Sequence, residues 1–409
     1  MSTNPSDHPH TVVNRHYQWI QTPADWSACL EHLGTVSRLA LDVEANSLFA
    51  YRERVCLLQI STQAHDYVID PLAGLNLEPL GALIGDPAVE KVLHAAEYDL
   101  ILMTREYGWE LRNLFDTMWA ARILGMERVG LASLLEELFG VKLDKRHQRA
   151  DWSKRPLTVE QLQYAQADTF YLLRLRDYLG EALKRGGLEE ESAEIFAAQC
   201  QIKLPDNGFV ADSFWSIPGV NQLTPQQQAI LRELYLMRDQ EASRQDRPPF
   251  KILGNAALMA LAAHAPARWE ELKLMPGLNE HLKQRYGALI LRAVQAGRQA
   301  APPRRPRPPT RPPEEVYLRY EKLFQWRKTT AHARGVNSDV IISRELLWEI
   351  AYANPQSPAD LAGIRGLGPW QRQTYGPAWL QLLSQSPTNS RPAGRRRHRA
   401  TNEPEGEQA

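Results

Sequence analysis

A short run of alternating side chains, Leu39 to Ala45, constrains the fold of this chain more than any other stretch. Successive side chains of a β-strand point to opposite faces, so the larger apolar residues of the run would share one face. Asp42 and Glu44 would lie side by side on the other face. Two carboxylates that close raise each other's pKa unless a proton or a cation lies between them. The run therefore predicts a strand that ends either in solvent or at a metal ion, and further carboxylates nearby would favour the metal.

Other apolar runs indicate that this strand belongs to a sheet. Residues 54–61 and 67–70 are rich in apolar and β-branched residues, and short turns separate them, which predicts an antiparallel meander of three strands. Two more strands are expected at 89–94 and near 114–116, with helical segments after them. We therefore expect an α/β domain in which helices pack on a mixed sheet.

Three side chains further along the chain are candidates for the same site. Asp99 lies where a predicted strand feeds a helix, a common position for sites in α/β proteins, although a first-turn carboxylate of the helix is the simpler interpretation. A capping-box pattern at Thr158 predicts a helix that starts at Val159. Tyr164 and Asp168 would share one face of that helix, either as functional residues or as a hydrogen-bonded surface pair.

A basic loop precedes this helix. Residues 142–156 interleave Lys, Arg and His with one tryptophan, a composition that fits phosphate contacts and base stacking on single-stranded nucleic acid. An ordinary exposed loop has the same composition, so the position of the loop beside the acidic candidates is what favours the functional interpretation. The candidate nucleic-acid contacts are His94, Arg149, Trp152, Lys154 and Arg155.

Taken together, these residues resemble the three exonuclease motifs of the DEDD superfamily in its tyrosine variant. The motifs are Asp42-x-Glu44, His94-x-x-x-x-Asp99 and Tyr164-x-x-x-Asp168, in the order and spacing of that superfamily. The flanking segments 57–60, 115–117 and 151–157 also resemble ribonuclease D. Residues 45–48 depart from the commonest form, in which an aromatic residue follows the glutamate, so the resemblance does not define a contact to the terminal base.

The resemblance implies a ribonuclease H-like fold and a metal-dependent 3′ to 5′ exonuclease. Asp42, Glu44 and Asp168 would hold one Mg²⁺ or Mn²⁺, and Asp42 with Asp99, the latter through water, would hold a second ion. Two such ions about 4 Å apart can align the attacking and leaving oxygens of a phosphodiester. Tyr164 and Glu44 would orient the attacking water, and the products would be nucleoside 5′-monophosphates.

The second half of the chain contains an internal repeat. Residues 238–287 align without gaps on residues 327–376, which predicts two copies of one small helical module. The first copy has a start signal at Thr224, followed by proline and glutamine, and the second would begin near Pro313-Glu314. Each copy resembles the HRDC domain, a helical bundle that binds nucleic acid or partners, and simple packing on the catalytic domain is the alternative role.

At 409 residues the chain exceeds what one core usually accommodates, so several domains are expected. The Pro- and Arg-rich linker is expected to be extended, and arginines in the tail would add an RNA affinity that falls with salt. The expected segments are a disordered start (1–15), an exonuclease domain (16–205), a linker (206–220), HRDC domain 1 (221–300), the Pro/Arg-rich linker (301–313), HRDC-like domain 2 (314–384) and a disordered basic tail (385–409).

Composition excludes several classes of protein. No uninterrupted apolar run reaches about 18 residues, so no membrane span is expected. Residues 1–10 are polar and lack the pattern of a secretory signal, and the expected compartment is the cytoplasm. The three cysteines have no metal-ligand spacing, so we expect neither a zinc site nor disulfides. The formal net charge is zero, yet arginine dominates residues 304–311 and 391–399. Such stretches can bind a polyanion, although an Arg-rich stretch by itself is more often a solvated linker.

Three functions fit these patterns. The first is a monomeric, metal-dependent 3′ to 5′ exoribonuclease that trims tRNA precursors and other small structured RNAs, with RNA as its partner and no nucleotide cofactor. A DNA 3′ to 5′ exonuclease would use the same residues, and an inactive RNA-binding scaffold is the third possibility. A helicase is excluded because the chain lacks the phosphate-binding motif GxxxxGK[ST].

Overall fold

The computed structural model describes residues 15–201, 204, 208–275, 277–306 and 310–384. It divides into two compact units between Thr310 and Arg311. The predicted disordered start and basic tail lie outside the described residues, apart from Arg15, whose guanidinium is ordered against the Asp66 carboxylate. The Pro/Arg-rich linker lies partly outside them as well. The boundaries near 205 and 221 remain predictions, because the first compact unit contains both sides of each.

Six strands of the described chain form one mixed sheet. They are β1 (Tyr17–Ile20), β2 (Arg38–Ala45), β3 (Val55–Ser61), β4 (Asp66–Ile69), β5 (Glu90–Leu93) and β6 (Leu114–Asp116). Their order across the sheet is β1-β4-β3-β2-β5-β6. The predicted antiparallel meander is confirmed in β2, β3 and β4, whereas β1 pairs with β4, β2 with β5, and β5 with β6 in parallel. The sequence patterns did not predict β1.

Helices pack on both faces of this sheet. Those within residues 15–201 are α1 (Pro23–Leu33), α2 (Glu78–Gly85), α3 (Glu97–Tyr107), α4 (Thr117–Ile123), α5 (Leu131–Phe139), α6 (Val159–Phe170), α7 (Leu172–Arg185) and α8 (Glu189–Gln199). The α6 helix begins at Val159 as predicted, because the Thr158 hydroxyl accepts from the backbone N–H of Gln161 and the Gln161 side chain accepts from that of Thr158.

The two faces of the sheet have different coverings. Leu41 of β2 and Ile60 of β3 lie in a core with apolar residues of α1, α2 and α3. On the opposite face, Leu57 of β3 packs with Leu162 and Ala165 of α6. The alternation predicted for the central strand is confirmed, since its larger apolar residues are buried in the first core and its carboxylates lie on the α6 face.

The internal repeat corresponds to two helical modules. The first contains α9 (Pro225–Arg244), α10 (Pro249–Ile252), α11 (Asn255–His264), α12 (Trp269–Lys273) and α13 (Glu280–Gln299). The second contains α14 (Glu314–Arg334), α15 (Ser338–Ile341), α16 (Arg344–Ala353), α17 (Pro358–Ala362) and α18 (Pro369–Ser384). Every helix of the second module starts 89 residues after its counterpart, as Asn255 and Arg344 illustrate. Even the left-handed residue that ends the third helix is shared, with φ of 48° at Ala265 and 44° at Asn354.

Two predictions from composition can be compared with the fold. All three cysteines are free thiols; Cys29 and Cys56 are buried and Cys200 is partly exposed, which agrees with the expectation that none forms a disulfide. Among the helices that the structure describes, none combines the length and the apolarity needed to cross a bilayer.

The close contact of α9 and α13 depends on a glycine. A Cβ atom at Gly297 would lie 2.4 Å from the Ile230 Cα and 2.8 Å from its backbone nitrogen. We predict that Gly297→Ala lowers the free energy of unfolding by about 1–3 kcal/mol, the usual effect of overpacking, because neither helix backbone can move independently. The midpoint of urea denaturation measures the change.

Gly254→Ser is the matched control. Gly254 has a φ of −69° and precedes α11 as its N-cap, and no atom of the described residues lies within 4 Å of the place that a Cβ atom would take. Serine is favoured at that position, so stability should be equal or slightly higher. Equal denaturation midpoints for Gly297→Ala and the parent protein would contradict the packing argument.

Candidate metal centre

Two elements bring three carboxylates together at the centre of the sheet. β2 carries Asp42 and Glu44 on the face that α6 covers, and α6 carries Asp168 near its end. One carboxylate oxygen from each residue lies within 4.8 Å of the other two, and all three side chains are partly exposed. The pairing of β2 with β3 shifts register between Glu44 and Ala45, so the strand bends directly after the second carboxylate.

Tyr164 lies one helical turn before Asp168 and faces the same cluster. Its hydroxyl lies near the Asp168 carboxylate, since each of the two groups affects the pKa of the other. Burial first, and then the charges of Asp168, Glu44 and Asp42, raise the pKa of the phenol well above its usual value. The tyrosine is therefore neutral at physiological pH and keeps its hydroxyl proton as a hydrogen-bond donor.

Asp99 lies close to the cluster without joining it. It is buried in the first turn of α3, 7% exposed, and is absent from the group of three whose oxygens meet within 4.8 Å. Burial raises the pKa of its carboxyl well above the usual value, and the charges of Asp42, Asp116 and Asp168 raise it further, so these groups lie close by. The structure thus places all four predicted acidic residues in one region, and their roles as metal ligands remain a prediction.

The cluster is electrostatically unfavourable by itself. Burial raises the pKa of Asp42 to about 7. Burial, followed by the charges of Asp42, Asp168 and Asp99, raises the pKa of Glu44 to about 10. The four carboxyl groups therefore cannot all be ionised near neutral pH unless cations lie between them. Carboxylate oxygens are the ligands that Mg²⁺ and Mn²⁺ prefer, so this donor set fits a divalent metal ion.

Asp116 supports the motif that carries Asp99, a role that we did not derive from the sequence. At the end of β6 its carboxylate accepts hydrogen bonds from the backbone N–H groups of Ala95 and Ala96, which begin the turn into α3. It also caps α4 through the N–H groups of Met118 and Trp119. Ala95 has a φ of 59°, an unusual value for a residue with a side chain, and the bond to Asp116 helps to hold it. Aspartate is a preferred N-cap residue, so its position directly before a helix is the sequence pattern that could have identified Asp116.

The structure contradicts the prediction that Trp152 stacks on RNA. Its indole is only 1% exposed and packs with Leu57, Leu162 and Ala165, and its ring centroid lies 5.9 Å from that of Tyr164. The aromatic residue in the basic loop is therefore an anchor that fixes the loop to the α6 face. Such a buried ring has no face available for a nucleobase.

Arg155 is also an internal clamp. Its guanidinium forms two hydrogen bonds with the Asp70 carboxylate, at 2.6 and 2.7 Å, and donates at 2.8 Å to the carbonyl oxygens of Cys56 and Trp152. These bonds occupy the groups with which it would bind phosphate, so the prediction of an RNA contact is wrong for Arg155 as well. The clamp instead ties the basic loop to β3 and to the end of β4.

His94, Arg149 and Lys154 have different environments. Burial lowers the pKa of His94 to about 4, and its Nδ1 lies 2.9 Å from the Thr117 hydroxyl, so it is neutral and cannot pair with phosphate as a cation. Arg149 is exposed, and Lys154 is exposed with its Nζ 3.9 Å from Asp151. Contacts of these three residues with RNA remain predictions.

Comparison with known proteins places this site in a family. The model of the 3′-5′ exonuclease domain family matches residues 17–184, and the HRDC domain model matches residues 227–294 and 318–383. Exonucleases of this fold use divalent metal ions, and the acidic cluster fits that requirement. The two resemblances that the motifs and the internal repeat indicated are thus confirmed.

Relatives and a solved structure extend the match over most of the chain. Ribonuclease D of Nitrobacter hamburgensis is 30% identical over 371 residues, which are 89% of this chain and 94% of that protein. The exosome complex exonuclease RRP6 of Saccharomyces cerevisiae is 33% identical over 282 residues, 65% of this chain but only 38% of the yeast protein. The crystal structure of Escherichia coli RNase D covers 91% of this chain and 100% of that one, with 25% identity and a TM-score of 0.63. The chain therefore belongs to the ribonuclease D family and is a 3′-5′ exoribonuclease.

Proposed function

We propose that this exoribonuclease uses two divalent metal ions to trim the 3′ ends of tRNA precursors and other small structured RNAs. The observation that carries the proposal is the meeting of Asp42, Glu44 and Asp168 within 4.8 Å, with the Tyr164 hydroxyl beside them. These residues come from positions more than a hundred residues apart in the chain, and the fold places them on one face of the sheet.

The donor set divides naturally between two ions. Asp42, Glu44 and Asp168 would hold the first, and Asp42, with Asp99 acting through a water molecule, would hold the second. Bound divalent ions supply Lewis acidity, which favours ionisation of the attacking water and stabilises negative charge on the phosphodiester. Asp42 contributes to both sites in this scheme, so it is the residue on which the reaction depends most.

The side chains of the protein itself orient the reaction. The neutral Tyr164 phenol can donate a hydrogen bond, and with the Glu44 carboxylate it would hold the attacking water in line with the last phosphodiester bond. Hydrolysis at the terminal phosphodiester would release nucleoside 5′-monophosphates one at a time.

The substrate class is argued from the relatives. Escherichia coli RNase D is described as an exoribonuclease involved in structured RNA processing, and its structure spans nearly all of this chain. RNA is accordingly the substrate class that we assign to this protein, with tRNA precursors as the specific proposal. A monomeric state and a cytoplasmic location remain predictions from the sequence.

The first test compares nucleic-acid substrates. A 3′-extended tRNA and a matched single-stranded DNA are incubated with the protein and Mn²⁺, with and without EDTA, and nucleotides are separated by chromatography. We expect stepwise release of 5′-mononucleotides from the RNA, which EDTA abolishes. Asp42→Asn should lower turnover by about a thousandfold, roughly 4 kcal/mol of barrier, because the bridging carboxylate loses its charge.

Each other outcome of this test is informative. Preference for the DNA would favour a DNA exonuclease, and RNA binding without any release would favour the inactive scaffold. Near-normal turnover by Asp42→Asn would refute the role that we assign to this residue.

The second prediction concerns Tyr164. Tyr164→Phe removes only the hydroxyl, so turnover should fall by about 100-fold, as is typical when one positioned donor in an active site is lost. Mn²⁺ affinity, measured by calorimetry, should stay near that of the parent because the four carboxylates are intact. Tyr178→Phe is the control, since Tyr178 is an exposed residue of α7 and should leave both quantities unchanged. A matching loss of Mn²⁺ affinity in Tyr164→Phe would show that the hydroxyl acts through the metal ligands.

The first helical module contacts the loop that follows Glu44. In this loop the Tyr51 hydroxyl donates to Asp239 of α9 at 2.8 Å, and the Tyr51 backbone N–H donates to Asp246 at 3.1 Å. The Lys251 ammonium lies 4.0 Å from the centre of the Phe49 ring. The loop also joins β2 to β3, so the first module helps to fix the segment next to the acidic cluster.

The third prediction separates the roles of the two modules. A chain that ends at Thr310 keeps the first compact unit and should hydrolyse a short oligonucleotide at the rate of the full chain. Its binding to 3′-extended tRNA should be weaker and less sensitive to salt, because basic contacts are lost. A chain that ends at Ser384 is the matched control, since it lacks only the arginine-rich tail. Loss of short-oligonucleotide hydrolysis in the Thr310 chain, if it remains folded by circular dichroism, would contradict this division.

A further inference from the structure

Gln59 of β3 faces the acidic cluster across a strand pair. The antiparallel register of β2 and β3 sets Gln59 directly opposite Asp42. Side chains of directly opposed residues point to the same face of a sheet, with Cβ atoms about 4.5–5.5 Å apart. The Gln59 amide therefore lies on the α6 face, beside the carboxylate that would bridge both ions.

The Gln59 side chain is buried with its polar atoms unpaired. Its exposure is 0%, and neither its amide nitrogen nor its amide oxygen has a hydrogen-bond partner in the described chain. A buried amide without a partner lowers stability, and native proteins rarely retain one that serves no purpose. Gln59 is thus a costly residue at a position where an apolar side chain of similar size would suit the fold better.

A second buried glutamine shows that this fold can satisfy such groups. Gln166 of α6 is 2% exposed, and its amide nitrogen donates to the Arg15 carbonyl oxygen at 2.7 Å and to Asp66 at 2.8 Å. Gln59 lies beneath α6 and Gln166 belongs to α6, and the two residues differ in what surrounds their amides. The Gln166 amide thus finds its partners within the protein, whereas the Gln59 amide does not.

Among the four residues adjacent to Gln59 on its face of the sheet, one carries a carboxylate. Along β3 these neighbours are Leu57, which is apolar, and Ser61, whose hydroxyl is already paired with the Thr169 hydroxyl at 2.8 Å. Across the sheet they are Val68 on one side and Asp42 on the other. An amide N–H bonded to an ionised carboxylate forms a strong, charge-assisted hydrogen bond.

We propose that Gln59 is a positioning residue of the metal centre, which donates from its amide nitrogen to the Asp42 carboxylate when divalent ions are bound. The inference rests on the proposed two-ion function. Outer hydrogen bonds of this kind orient ligating carboxylates, and their loss commonly weakens metal binding by about 10–100-fold. The amide of Gln59 fixes the direction in which Asp42 presents its two oxygens. The lower stability that the unpaired amide causes is the consequence of that role.

Gln59→Met tests the proposal, because methionine keeps the length and volume of the side chain and removes the amide. Calorimetry with Mn²⁺ should show an affinity about 10–100-fold lower than that of the parent. The Mn²⁺ concentration for half-maximal hydrolysis should rise, with activity recovering at saturating Mn²⁺. The thermal unfolding midpoint in EDTA should be equal to or higher than that of the parent, since no hydrogen bond of the ion-free protein is lost.

Gln166→Met is the matched control, and it should lower stability without weakening Mn²⁺ binding. Its unfolding midpoint in EDTA should fall, because two hydrogen bonds are lost, while Mn²⁺ affinity should stay near the parental value. The parental protein gives an independent readout: addition of Mg²⁺ should shift the side-chain amide resonance of Gln59 in a ¹⁵N spectrum, assigned by its absence in Gln59→Met.

The possible results separate this inference from the function on which it rests. Parental Mn²⁺ affinity in Gln59→Met, or an unmoved Gln59 amide resonance, would overturn the positioning role while leaving the two-ion proposal intact. A lower unfolding midpoint for Gln59→Met in EDTA would also overturn it, since the amide would then have a partner without metal. Failure of the parental protein to bind Mn²⁺ would overturn both.

Discussion

The repulsion among four carboxyl groups is the constraint around which the exonuclease domain is organised. Asp42 and Glu44 lie on β2, an internal strand of the sheet with β3 on one side and β5 on the other. β2 is paired with β5 over Arg38–Ala40 and with β3 over Ala40–Ala45, and these backbone hydrogen bonds hold its two carboxylates near Asp168 on α6. The fold thus keeps together groups that would separate in a flexible chain, and the pKa of Glu44, raised by burial and then by the charges of Asp42, Asp168 and Asp99, reflects that cost.

Several polar contacts hold the elements that carry these groups. Asp116 fixes the turn before Asp99 by accepting from two backbone N–H groups, and the reciprocal cap at Thr158 fixes the start of α6. The bidentate pair of Arg155 and Asp70 ties the loop before α6 to the sheet, and the Asp70 side chain is 3% exposed. Because these contacts are mostly buried or backbone-directed, water competes with them weakly. They position side chains with a precision that apolar packing alone does not provide.

The sequence predicted the elements with strong local signals and missed those that depend on distant partners. The alternation around Asp42 and the cap at Thr158 are local, and both elements were predicted correctly. β1 is only four residues long and is held by parallel pairing with β4, almost fifty residues away, so its own pattern is weak. Trp152 and Arg155 were misassigned because a tryptophan among basic residues suggests an exposed loop. Their burial depends on Tyr164 and Asp70, which only the tertiary structure brings near.

The two helical modules share one fold and differ in a few surface residues. Asp239, Asp246 and Lys251 of the first module hold the loop after Glu44. The residues 89 positions later, where the helices of the second module correspond, are Lys328, Gly335 and Val340. One carboxylate is replaced by a cation, the other by a residue without a side chain, and the lysine by an apolar residue. The second module therefore lacks the three side chains that make these contacts in the first, although its helices start in the same register.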